Sequence, residues 1–227
     1  MELASRSRNG FDLALSRTYL GYSLGNQGRI SEALESLDEV IALGRRNENR
    51  IVLARAPNGI GWLQRETGNL KQAIESNEIS LDASRAAGAT EAEANALINL
   101  VYDYTLAGQP GRAADALQRV DALYDCELWN GRRFYEVRHQ AASAEYWFAA
   151  KKARPGGATC PRPACERRRY GVPKYTAIPH RLPGEIAAWE GDEARAHEHL
   201  QNALQARLTA QCRRSNGEST QRWAGFC

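Results

Sequence analysis

The sequence predicts an all-α chain of antiparallel helix pairs, and three observations carry that prediction. A turn glycine recurs every 40 residues, at Gly28, Gly68 and Gly108. A small residue follows each of them five positions later, at Ala33, Ala73 and Ala113. Between the glycines run Ala-, Leu- and Glu-rich stretches whose apolar residues are spaced three and four apart, the period of a helix buried on one face.

The elements follow in order. "GRISEALESL" begins at Gly28, "GNLKQAIESN" at Gly68 and "GQPGRAADAL" at Gly108; a further copy, "GDEARAHEHL", begins at Gly191 and carries Ala196. Four residues past the small position stands an apolar residue, Leu37, Leu117 or Leu200, except in the second copy, which has Asn77. Seven positions before the turn lie Gly21, Gly61, Val101 and Gly184, preceded by Leu20, Ile60, Leu100 and Pro183. Each unit therefore reads as helix, tight turn, helix, with helices expected over 30–44 and 91–107. Small residues at fixed positions let two helices approach closely, and the large apolar residues fill the seam around them. One pair cannot bury its apolar face alone, whereas stacked pairs share a continuous core, so the fold class is an α-solenoid.

These residues resemble the tetratricopeptide repeat (TPR) family, whose pattern runs Leu-Gly, an aromatic or apolar residue, a turn glycine, Ala, and an aromatic or Leu. The match is Leu20, Gly21, Leu24, Gly28, Ala33 and Leu37 in the first unit, and Leu100, Tyr104, Gly108, Ala113 and Leu117 in the third. The second unit keeps Gly61, Gly68 and Ala73 but has Gln64 and Asn77 where the family places apolar groups. The period exceeds the family's common value of about 34, as in arrays beside the catalytic or DNA-binding domains of bacterial signalling proteins and transcription regulators. The resemblance implies a right-handed superhelix whose first helices line a concave, ligand-binding groove.

Three helix pairs are expected over 12–126, and the first helix of an interrupted fourth unit over 127–152. A basic Pro-, Gly- and Cys-rich irregular segment follows over 153–176, then a partial fifth pair over 177–206 and a disordered tail over 207–227. Pro155, Pro161 and Pro163 exclude a helix through the basic segment, and Pro179 and Pro183 are expected to interrupt the fifth unit's first helix. The basic segment and the tail also have the composition that a local reading-frame error in a G+C-rich coding sequence would give. The first unit starts close to Met1 without a polar capping helix, which reads as a fragment of a longer array and offers an uncapped end for self-association.

Composition excludes several function classes. With 43% hydrophobic and 25% charged residues this is an ordinary soluble composition, and no apolar run approaches the roughly 18 residues of a membrane span. The N-terminus lacks an apolar secretory core, so a cytoplasmic location and no membrane partner are expected. Five irregularly spaced cysteines fit reduced thiols rather than a disulfide framework. Residues 151–170 hold seven Lys or Arg against one Glu, a local +6 that leaves −3 for the rest of the chain. Nucleic-acid or acidic-surface binding through that segment is the alternative function; the run is short and has no recognisable binding motif, so a solvated loop is preferred.

Catalysis has little support. Cys160, Cys165, His180, His197 and His199 could be read as a zinc site, but the cysteines lack a matched second pair, and His197 and His199 fall on different helix faces. "NGIGWLQRETG" has Gln64 where a dinucleotide fingerprint needs its third glycine, and no strand precedes it. No nucleophile elbow or phosphate loop is present. The reading is a non-enzyme with no cofactor and no metal.

Binding surface remains. In each first helix the stripe beside the Leu-Gly seam reads Leu15, Thr18, Tyr22 and Gly25, then Arg55, Asn58, Trp62 and Arg65, then Asn95, Ile98, Tyr102 and Thr105. Tyr22, Trp62 and Tyr102 stand at the repeat spacing and are expected to form an aromatic ladder, serving as ligand surface or as interhelix packing. The candidate protein- or peptide-binding set is Tyr22, Asn26, Arg55, Asn58, Trp62, Arg65, Asn95 and Tyr102: rings supply apolar area, Asn pairs with an extended backbone, and Arg grips a carboxylate. Arg55 and Arg65 could instead be spent on Glu66 or on a neighbouring repeat. The expected function is a non-catalytic interaction scaffold, the interaction or sensory part of a bacterial signalling or regulatory protein.

Overall fold

A computed structural model describes residues 10–126, 132–153 and 173–215 of the chain. Among these residues every regular element is an α-helix and no strand occurs. In chain order they are α1 (Gly10–Asn26), α2 (Ile30–Arg46), α3 (Arg50–Glu66), α4 (Leu70–Ala87), α5 (Thr90–Leu106), α6 (Pro110–Cys126), α7 (Arg132–Ala153), α8 (Pro173–Glu190) and α9 (Glu193–Ser215). The chain divides into two compact units, Met1–Ala142 and Ser143–Cys227, with the division inside α7.

The turns explain the repeat. At each one the residue after the turn donates its backbone N–H five residues back: Arg29 to Leu24 at 3.0 Å, Asn69 to Gln64 at 2.8 Å and Gln109 to Tyr104 at 2.9 Å. The same closure joins Asp192 to Ala187, and recurs between pairs from Asn49 to Gly44 and from Ala89 to Ser84. This Schellman closure needs one residue in the left-handed region. Gly28, Gly68, Gly108 and Gly191 occupy it with φ of 80°, 84°, 67° and 82°, and Gly88 does so between the second and third pairs at 63°. Glu48 holds the equivalent place between the first and second pairs, with φ 50°.

In the first unit each helix packs on its neighbours in sequence, and the first helices of successive pairs also touch, α1 on α3 and α3 on α5. The small residues of the repeat make that possible. A Cβ at Gly21 would lie 2.9 Å from Leu37 Cγ, and one at Gly59 the same distance from Tyr22 Cε1. Around these contacts Leu24, Ala33, Leu37 and Leu63 form a core cluster, against which Leu20, Ile60 and Trp62 pack. A second cluster joins Ala14, Val40, Val52 and Ala56 across the same three helices. Burying the Leu and Val side chains among them contributes roughly 1.5–3 kcal/mol each.

Asn77 and Gln64, the two departures in the second unit, both have polar partners. Asn77 is fully buried, donating to Asp103 Oδ2 at 2.7 Å. Gln64 Oε1 accepts from the Ser76 hydroxyl at 2.8 Å.

In the second unit α8 packs against α9, and a Cβ at Gly184 would meet Leu200 Cγ at 2.8 Å. Here three sequence expectations are corrected. Pro179 and Pro183 do not interrupt the helix: α8 runs through both, as α3 runs through the buried Pro57. A proline inside a helix removes one hydrogen bond and bends the rod, and packing along a partner helix offsets that cost. Residues 173–176, expected to be irregular, belong to α8, and residues 207–215, expected in a disordered tail, continue α9. The basic stretch 154–170, with Cys160 and Cys165, and the tail from 216 onward lie outside the described residues. No described helix is long and apolar enough to cross a membrane.

Candidate functional site

The first helices bring four of the eight candidate residues to one small cleft. Tyr22 from α1, Arg55 and Asn58 from α3 and Asn95 from α5 line it, together with Leu15, Thr18, Tyr19, Glu91, Ala92 and Tyr135, and its volume is about 40 Å³. The helical period is the cause: residues three and seven apart on α1 and α3 share a face, and the glycines behind them draw the helices close enough to present one surface.

Beneath the cleft runs a buried polar network that joins four helices, α3, α4, α5 and α7. Asn99, fully buried, donates through Nδ2 to Asn58 Oδ1 at 2.6 Å and to Asn77 Oδ1 at 3.2 Å. Asn77 hands on to Asp103, whose other carboxylate oxygen accepts from Arg65 Nη1 at 2.9 Å. At the opposite end Arg138 of α7 donates from Nη2 to Asn99 Oδ1 at 2.7 Å and from Nη1 to Asn95 Oδ1. Buried polar groups persist only when hydrogen-bonded, and a network of this length fixes the register of every helix that contributes to it.

The charges of the candidate arginines are largely spent inside the fold. Arg65 is paired with the fully buried Asp103 and lies over the Tyr102 ring, 5.2 Å from its centroid. Arg55 pairs with Glu91 of the next helix pair, whose other oxygen accepts from the Tyr135 hydroxyl at 2.9 Å. Both arginines therefore bond to a neighbouring repeat, not to Glu66, which instead accepts from the Trp62 indole at 3.2 Å. Burial raises the Asp103 carboxyl above its ordinary value, with Arg65 and then Asn77 pulling the other way. Burial likewise pushes the Tyr22 phenol up to about 12 against the opposing fields of Arg138 and Arg55, and the Tyr135 phenol well above its ordinary value.

The remaining candidates lie elsewhere. Trp62 meets Tyr22 edge to face, with centroids 6.1 Å apart, while its flank packs on the Leu24–Leu37–Leu63 cluster and covers Gly25. Trp62 thus joins the ring row to the core. Asn26 is exposed at the end of α1, donating to its own helix at Tyr22 O.

Sequence reasoning missed Tyr19, Glu91, Asn99, Tyr135 and Arg138. A signal for two of them was present: adding the repeat period of 40 to Asn95 and to Ile98 lands on Tyr135 and Arg138.

The donor inventory of the cleft is uneven. Asn58 is 2% exposed, and among the described residues its Nδ2 has no hydrogen-bond partner; Arg55 Nε is buried and equally unpartnered there. Both oxygens of Glu91 are engaged, as are the side-chain oxygens of Asn58, Asn95 and Asn99. No group of three or more metal-ligating side chains occurs among the described residues. Among known proteins, no family model and no curated protein matches this chain.

Proposed function

We propose that the chain is a non-catalytic docking module, a TPR-like right-handed superhelix whose first helices hold an extended protein or peptide segment in a concave groove, as the interaction or sensory part of a bacterial signalling or regulatory system. One observation carries the reading. Side chains from α1, α3 and α5 converge on a single cleft and leave buried hydrogen-bond donors unspent there, and an unmade hydrogen bond at a buried donor costs about 1–3 kcal/mol. An extended segment supplies what is missing, because its backbone carbonyls and polar side chains are acceptors. The exposed Tyr19 at the rim adds a large amphipathic ring of the type that dominates binding surfaces.

Selection from a displayed library of random peptides tests this with the intact chain. Enriched peptides should bind in calorimetry, and Tyr19→Ala, which removes a 62%-exposed side chain, should weaken them about fivefold or more, equivalent to roughly 1 kcal/mol, with unchanged circular dichroism. Failure to enrich any peptide, or binding indifferent to Tyr19, would count against the groove.

A further inference from the structure

The α8–α9 pair is closed on one side and open on the other. In α2, Leu37 is fully buried because it lodges between two glycines: a Cβ at Gly21 of its own pair would lie 2.9 Å from its Cγ, and one at Gly59 of the following pair 3.0 Å from its Cδ1. Leu200 of α9 is the counterpart of Leu37 in the repeat, and Gly184 of α8 meets it in the same way, with a Cβ there 2.8 Å from its Cγ. Among the described residues no helix supplies the second half of this sandwich, and Leu200 is 41% exposed. Leu204 and Leu208, four and eight residues on, share its face and are 59% and 46% exposed. Leu204 has apolar counterparts in Ile41 and Leu81, but Leu208 stands where α2, α4 and α6 carry Arg45, Arg85 and Asp125. That third leucine has no part in the seam of the repeat, and it extends the other two into a continuous apolar ridge.

We infer that this ridge is the interface of a homodimer in which α9 of one copy packs antiparallel on α9 of a second copy. Charge selects the occupant. Residues 190–198 hold Glu190, Asp192, Glu193 and Glu198 against Arg195, a net −3, whereas residues 206–215 hold Arg207, Arg213 and Arg214 and no acid, a net +3. An antiparallel second copy sets each acidic end against the other's basic end, with Leu204 at the twofold axis and Leu200 opposite Leu208; a parallel one would align like charges and like helix dipoles. Such a contact is isologous and closes at two copies. The first helix is the wrong partner for the ridge. Helix α3 meets α2 through Val52, Ala56, Gly59 and Leu63, and the residues one period earlier on α1 are Asp12, Ser16, Tyr19 and Ser23. Polar groups at those positions form the kind of outer face that a terminal repeat carries, so a head-to-tail stack would press the leucines onto polar side chains. The ridge belongs to the second unit, and its pairing does not depend on the docking reading above.

Analytical ultracentrifugation of the full chain tests the pairing. At micromolar concentration the chain is expected to sediment as a dimer, with twice the 25.2 kDa of one copy. Leu204→Glu should weaken dimerisation about tenfold or more with unchanged circular dichroism, while Ile79→Glu, which alters an equally exposed residue on α4, should leave the dimer intact. Glu193→Lys combined with Glu198→Lys should also weaken it about tenfold or more, and adding Arg213→Glu and Arg214→Glu should restore most of the affinity, which a misfolded α9 could not do. A chain that stays monomeric overturns the inference and leaves the ridge to a different partner. A dimer indifferent to Leu204→Glu overturns it as well, because the interface then lies elsewhere. Species that keep growing with concentration would mean an open head-to-tail contact, and a second pair of charge reversals that rescues nothing would contradict the antiparallel arrangement.

Discussion

At the scale of single residues, conformational demand and burial decide what each position tolerates. Glu48 takes the left-handed turn conformation that Gly88 supplies one period later, and a residue with a Cβ pays about 1–2 kcal/mol there. Glu48→Gly should therefore raise stability by about 0.5–1 kcal/mol, after the extra freedom of glycine in the unfolded chain is deducted, and urea denaturation would read it. Tyr22 gives a pH signature. Its phenol titrates near 10 when unfolded and is pushed up to about 12 in the fold, so its contribution is complete below pH 10 and disappears as pH rises through about 12. Tyr22→Phe should make the alkaline loss of stability shallower across that window. Unfolding curves of equal slope for the two proteins would show that the phenol stays accessible to water.

At the scale of helices, close approach and the buried network set the limits. A Cβ at Gly61 would lie 2.5 Å from Asn77 Nδ2, and Asn77 cannot yield without breaking its bond to Asp103. Gly61→Ala should cost about 1–3 kcal/mol, the usual penalty of overpacking. Asp103→Leu strands the Arg65 charge and should cost about 3–5 kcal/mol, while adding Arg65→Met should recover most of that loss, because a buried pair replaced as a whole is nearly neutral. Thermal unfolding of the single and double variants measures the difference.

The helix-turn-helix units were legible in the sequence because turn glycines and seam residues answer to local geometry: Gly28, Gly68 and Gly108 are glycine for their backbone angles, and Ala33 and Ala73 are small because they are fully buried. Asn77 read as a fault in the pattern for an equally physical reason. Its partners, Asn99 and Asp103, are distant in sequence, and nothing in a local period announces a hydrogen bond across helix pairs. The ends of α8 and α9 were misjudged because proline and charge are local signals, whereas the two helices are held by packing on each other.

At the scale of the whole molecule, the candidate site is a property of the stack, and only part of it was visible in single helices. Tyr22, Arg55, Asn58 and Asn95 were readable as a stripe, and pairing of Arg55 and Arg65 with a neighbouring repeat was one outcome the sequence allowed, but that their partners are Glu91 and Asp103, and that Arg138 donates to Asn95 and Asn99, emerges only when α5 is packed against α3 and α7. The most direct test of the docking account is hydrogen exchange on the full chain with and without a library-selected peptide. The account predicts slowed exchange in α1, α3, α5 and the first half of α7, with α2, α4 and α6 unchanged; protection confined to the second helices or to residues 151–170 would contradict it.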